Sequence, residues 1–301
     1  PPGLPRAVRC NRFLIKLRNV MNKLVTQQAA PSQARNSDKL WVSWNGNIVH
    51  PYSDIVRPET EEELADAVRR ARNVRVFGSR QSSADIAAGT ETLIDSSGYD
   101  RIVDFDAETR RITVQSGMTL RTLNEEIEAR GLTFSCLPDI DTVTVGGALA
   151  TGTHGTAGGA HPLSEYMVAA RLIKADGAIV EVDESSDMMP ALRNAVGTLG
   201  VLSTVTFELE PLYYLRVEEQ AIGDEEWLSN YRRWLEEYDF LRIIWLPHTG
   251  YGWVITGKRV DPESPVEERE APRFVRHRRE VSKCLYKRTV RFPRFTRFAN
   301  R

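Results

Sequence analysis

The 301-residue chain balances 40 Lys and Arg against 41 Asp and Glu, with 41% apolar residues, 27% charged residues and a mean hydropathy of −0.37. These values exclude a disordered chain, a collagen-like repeat and a membrane bundle, and the length can hold roughly two domains around a large core. Cys10, Cys136 and Cys284 are odd in number, far apart and never spaced as CxxC, so neither a disulfide framework nor a metal site is expected, and a reducing, cytoplasmic setting fits.

The charge is unevenly spread. Residues 1–40 form a basic N-terminal extension with eight basic side chains and one acid, and residues 269–301 carry twelve basic side chains and two acids, which leaves the body strongly acidic. An acidic body excludes nucleic acid as the main partner, because phosphate binding needs a basic face. The basic ends are suited to peripheral contact with anionic lipid, or to folding back on the body.

In chain order, Leu14, Leu17, Val20, Met21 and Leu24 lie at helical spacing within a basic stretch, and the Gln/Ala/Pro/Ser/Asn composition of 26–38 reads as a linker. Folded structure is expected from near Trp41. Thr60 and Glu63 make a capping box before an apolar stripe, which predicts a helix over 61–72. Strands are expected at 74–77, 93–94, 102–105 and 112–115, then a helix carrying Leu120, Leu123 and Ile127 and stopping at Gly131. Strands at 168–174 and 179–182 flank the hairpin turn Ala175-Asp176-Gly177. A helix near 190–196 and a strand at 202–209 follow. From Tyr213 a smaller region has a helix at 225–238, strands at 241–246 and 253–256, and a charged loop at 262–270. The elements mix without regular βαβ alternation, so the fold class is α+β.

Three loops concentrate residues that let a backbone approach a ligand. The first runs from Gly78 through Ser79, Arg80, Gln81, Ser82 and Ser83, directly after a strand. Small residues there expose N–H donors of the kind a diphosphate needs, and Arg80 either adds charge or stays solvated. The second runs from Val145, Gly146 and Gly147 through Thr151, Gly152, Thr153, His154 and Gly155 to Thr156. Its small residues suit a large flat ligand packed against backbone. The alternatives are tight element packing for Gly146 and Gly147, and a core histidine for His154. The third is Gly197-Thr198-Leu199-Gly200-Val201, where a helix C-cap is the simpler reading.

The order and spacing of the three loops resemble the FAD-binding domain of the vanillyl-alcohol oxidase type, and within it the aldonolactone oxidoreductases, from about Trp41 to Leu209. The family's first loop reads roughly VGxxHSxxDIA, matched here by Gly78, Ser82, Asp85, Ile86 and Ala87. The second reads VGGxxxxGTHGTG, matched by Val145, Gly146, Gly147, Gly152, Thr153, His154, Gly155 and Thr156. The resemblance implies an FAD fold of two α+β subdomains over 41–212, followed by a substrate-binding cap from 213, with Gly200 and Val201 lying against the cofactor. It also places Pro138 and Asp139 beside the reactive part of the flavin ring, where Pro138 leans towards an oxidase. Many members link the flavin to a histidine at the position of Gln81, whose amide cannot make that bond, so non-covalent FAD is implied.

Phe240 to Thr249, with Pro247-His248, resembles the first cap strands of gulonolactone and arabinonolactone oxidases. The implied reaction is FAD-dependent oxidation of a gulono-, galactono- or arabinono-1,4-lactone, with reoxidation by dioxygen or another acceptor, of the kind used in ascorbate-type biosynthesis. Arg80 favours alditol oxidation instead, and the basic ends favour a membrane-peripheral FAD module without turnover. Family members end in a His-Trp-x-Lys type motif that is absent before Arg301. The cap is therefore expected to be truncated, with the catalytic base in the missing part and His248 the candidate that remains.

Overall fold

The computed structural model describes residues 39–260 except 45, 47, 87–90, 158 and 160, together with 288, 291, 292 and 294. The amphipathic stretch at 13–24, the linker, Ala87 and the loop at 262–270 lie outside the described residues, as do nearly all residues of the two basic ends. The described chain divides into two units, the larger comprising residues to Gly155 and again from 159 to Leu212, the smaller Thr156–Ala157 and the chain from Tyr213.

The larger unit opens with an antiparallel pair, β1 (Leu40–Val42) and β2 (Val49–Pro51). A parallel three-stranded sheet follows, β3 (Asp54–Val56), β5 (Thr92–Asp95) and β4 (Val74–Phe77), with β5 in the middle and helix α1 (Glu61–Arg70) crossing between β3 and β4. This single βαβ crossover beside an antiparallel sheet agrees with the expected lack of regular βαβ alternation. β3 escaped notice because three residues are too few to show a period. Thr60 caps α1 through its side chain, which accepts from the Glu63 N–H, while the Glu63 carboxylate reaches back to the Glu59 N–H at 2.9 Å. Leu64, Ala67 and Val68 bury the apolar stripe against Ile94, Tyr99 and Ile173.

The second subdomain is an antiparallel sheet in the order β10 (Ile179–Asp183), β9 (Met167–Ile173), β11 (Val201–Glu208), β7 (Arg111–Gln115) and β6 (Ile102–Asp106). The β9–β10 turn forms as expected: Gly177 has φ +81°, and Asp176 accepts from the Ala178 N–H at 2.9 Å. Helix α2 (Leu120–Ala129) packs Leu120, Leu123 and Ile127 into the core with Ile112, Val114, Phe134 and Phe207, the two Phe rings meeting edge-on at 5.1 Å. A short pair, β8 (Leu132–Thr133) with β12 (Glu210–Pro211), closes this sheet region. The two α+β subdomains are the implied architecture.

Two expectations fail locally. Val145 to Thr156 is not one loop, because Val145–Ala150 forms helix α3, capped by the Thr144 side chain at the Gly147 N–H. Val145, Ala148 and Leu149 are buried in the main core, so this stretch contributes about 1.5–3 kcal/mol per large apolar side chain instead of leaving the core poor. The helix expected over 190–196 is only α4 (Met189–Leu192). Beyond it Asn194, Val196 and Gly197 all take positive φ, which ends any helix.

In the smaller unit, β13 (Tyr214–Gly223), β15 (Tyr251–Val260) and β14 (Phe240–Leu246) form an antiparallel sheet with β15 central, and helix α5 (Asp224–Glu237) packs Trp234 against Ile222 and Val254. The ten-residue β13 was not expected, since Arg216, Glu218, Glu219 and Gln220 break its apolar run.

Candidate active site

The loops that the sequence placed far apart meet within the larger unit. Phe77 ends β4 in the core, and the chain leaves it at Gly78, where an added Cβ would overlap the Thr144 side chain. The glycine therefore admits the Thr144 side chain that caps α3. Ser79 Oγ donates to the Thr142 carbonyl, and Gln81 Nε2 donates to Thr142 Oγ1 at 3.1 Å. Arg80, between them, has φ +58°, and its carbonyl accepts the Trp44 N–H at 3.1 Å. Its guanidinium lies over the Phe77 ring, 4.9 Å from the centroid, which gives this exposed cation a place on the protein surface. Ser82 turns the loop by accepting from the Ala84 N–H at 3.1 Å, and Asp85 pairs with His50 at 2.8 Å.

No backbone N–H from Ser79 through Ser83 donates to an acceptor among the described residues. Five successive donors without a partner among the described residues, turned by one left-handed residue and held by Thr142, are an array of the kind an anion can engage. Ser79, Gln81 and Ser82 are half-buried and Arg80 and Ser83 exposed, so these donors are open to solvent or to a ligand.

The second loop is fastened from below. Val145 N–H donates to Met118 O at 2.8 Å and Gly146 N–H to Ser116 O at 2.7 Å. Gly147 is exposed at the outer side of α3, and Thr151 Oγ1 returns to Gly147 O at 2.9 Å. Gly152 (φ +66°) turns beside Asn194, and Val196 N–H donates to Ala150 O at 3.2 Å, so the second loop touches the segment that leads into the third. An added Cβ at Gly155 would overlap Cys136 Sγ and Leu137 O, so this loop lies directly on the 136–139 segment that carries half-buried Pro138 and exposed Asp139.

His154 is exposed, and its Nδ1–H donates to Gly155 O at 2.9 Å, which leaves Nε2 as the proton acceptor of the neutral ring. Gly200 has φ +144° and lies against Ile173 O at the start of β11, where Val201 is half-buried. It stands eight residues beyond the end of α4, so the C-cap reading of the third loop is corrected. His248 occupies the exposed turn between β14 and β15, with φ +69°. The residue that sequence reasoning missed is Thr142, whose neutral loop position gives no signal until the two loops are seen together.

The amides of 79–83, unpaired among the described residues, and the exposed Gly147, Thr151 and His154 fit a dinucleotide with a diphosphate and a flat ring. Residues 53–183 match the model of the FAD binding domain family, and residues 205–301 that of D-arabinono-1,4-lactone oxidase. The chain is 34% identical to L-gulono-1,4-lactone dehydrogenase of Mycobacterium tuberculosis, over 74% of this chain and 53% of the relative. It is also 34% identical to mouse L-gulonolactone oxidase, over 64% and 44% respectively. It thus spans about half the length of these relatives. Among solved structures, a solvent-stable cholesterol oxidase superposes with a TM-score of 0.72 at 20% identity, covering 89% of this chain and 60% of that one. Cholesterol oxidase from Brevibacterium sterolicum gives 0.66 at 17%, covering 80% and 52%. The fold is that of the vanillyl-alcohol oxidase type.

Proposed function

From the premise that this chain is a homologue of the aldonolactone oxidoreductases and carries their FAD-binding domain, we propose that it serves the FAD-dependent oxidation of a sugar-1,4-lactone. The observation that carries the reading is the run of five amides at Ser79–Ser83 without a partner among the described residues, tethered to the segment that leads into α3. FAD, when bound, supplies the two-electron acceptor for a hydride from the carbon bearing the lactone hydroxyl.

The residues of this chain bind and orient. The amides of 79–83 would take the diphosphate, and Gly147, the backbone of half-buried Gly152, Thr153 and Gly155, Pro138 and Asp139 would hold the ring system. Gly200 and Val201 close the site from the third loop. Gln81 is a carboxamide held by Thr142, without a nucleophilic nitrogen, so it forms no covalent link to the cofactor, and a non-covalent flavin is expected. Oxidation of a secondary alcohol also needs a group to take the hydroxyl proton. His154 Nε2 is an acceptor within the larger unit, and His248 is the candidate of the smaller one. Dioxygen or another acceptor would take the two electrons from the bound FAD.

Anaerobic addition of L-gulono- or L-galactono-1,4-lactone to the flavin-loaded protein is expected to bleach the flavin absorbance, with xylitol inert. Bleaching by xylitol but by neither lactone would move the assignment to alditol oxidation.

A further inference from the structure

We propose that Thr142 is the positioning residue that sets the diphosphate-binding loop, through two bonds made by one amino acid. Its carbonyl accepts the Ser79 hydroxyl, and its own hydroxyl accepts the Gln81 amide at 3.1 Å. These two grips fall on alternate residues. Arg80 lies between them in the left-handed region, which a non-glycine residue occupies only when its neighbours hold it there. Among the described residues, Thr142 makes both of the side-chain hydrogen bonds that tie Ser79–Gln81 to the rest of the unit.

Thr142 is itself well placed to be a fixed point. The next carbonyl, at Val143, accepts the Leu120 N–H at 2.9 Å, and Thr144 caps α3, whose Val145 and Leu149 are buried in the core. The loop of free amides is thereby referred to the core through one short segment. An array of donors binds an anion well only when its geometry is set before the anion arrives, and Thr142 is what sets it here. The inference rests on the reading of this site as an FAD site and concerns the apoprotein as much as the loaded one.

The test is titration of FAD into flavin-stripped protein, followed by quenching of flavin fluorescence. Thr142→Val keeps the carbonyl and removes the hydroxyl acceptor, and is expected to weaken FAD binding about 3- to 10-fold, the loss of one hydrogen bond. Thr142→Ser is expected to bind within about twofold of the wild type, because the acceptor is restored. In a Gln81→Met background the effect of Thr142→Val is expected to vanish, since the partner is already gone. Equal binding by Thr142→Val and wild type, a Ser variant as weak as the Val variant, or an undiminished Val effect in the Gln81→Met background each overturns the inference. A wild-type chain that binds no FAD overturns instead the reading beneath it.

Discussion

At Gly155 the absence of one carbon decides whether two segments can meet. An added Cβ would overlap Cys136 Sγ and Leu137 O, and the second of these is backbone that cannot rotate away. Gly155→Ala is therefore expected to cost about 1–3 kcal/mol of stability by overpacking and to weaken FAD binding by moving the 136–139 segment. Urea unfolding followed by intrinsic fluorescence, with a parallel FAD titration, checks both, and an alanine variant as stable as the wild type would contradict the geometry. The glycines at 78, 155 and 200 were legible as special positions, but their protein neighbours were not. They admit Thr144, Cys136 with Leu137, and Ile173, so they join protein to protein around the site. Spacing along a sequence cannot distinguish a glycine that admits a ligand from one that admits a neighbouring loop.

Among the elements, those with a clear period were legible: α1 and α2 from their apolar stripes, the β9–β10 hairpin from Asp176-Gly177. Helix α3 was not, because Gly146 and Gly147 have poor helix propensity and the Thr144 cap precedes only six residues. Burial of Val145 and Leu149 overrides that propensity.

The junction of α1 with the antiparallel sheet carries a polar cluster that no periodicity reveals. Glu61 receives two bonds from Arg171, each 2.9 Å, and one from Ser203 at 2.6 Å, while Ser203 meets Tyr99 Oη at 2.8 Å. Burial pushes the Glu61 pKa up, but the bonds from Arg171 and Ser203 and the Arg171 charge outweigh it, so the carboxyl sits below its ordinary 4.5. A carboxyl with a folded pKa below its unfolded one stabilises the fold above the unfolded value, and the gain is lost as the pH falls through the folded value. Glu61→Gln is expected to lower stability by about 1–2 kcal/mol at neutral pH, between the values for exposed and buried pairs. Urea midpoints at about pH 7 and about pH 3 should show the wild-type advantage shrinking on acidification. An advantage that grows in acid would contradict the assignment.

For the whole molecule, the sequence conveyed the α+β class and the order of the three loops, and the structure supplied the contacts of the first two with the segments 142–144 and 194–196. What stayed illegible was pairwise: Thr142 with Ser79 and Gln81, Gly152 with Asn194, Ala150 with Val196. Each pair joins residues distant along the chain through neutral groups that leave no charge or hydrophobic signature.

The most direct measurement is the visible absorption spectrum of the isolated protein, before and after acid precipitation. The account predicts flavin bands in the blue and near ultraviolet, with all of the yellow colour in the supernatant once the protein is precipitated. Protein that is colourless and stays so after incubation with FAD would contradict the site, and colour that remains on the precipitate would contradict the role given to Gln81.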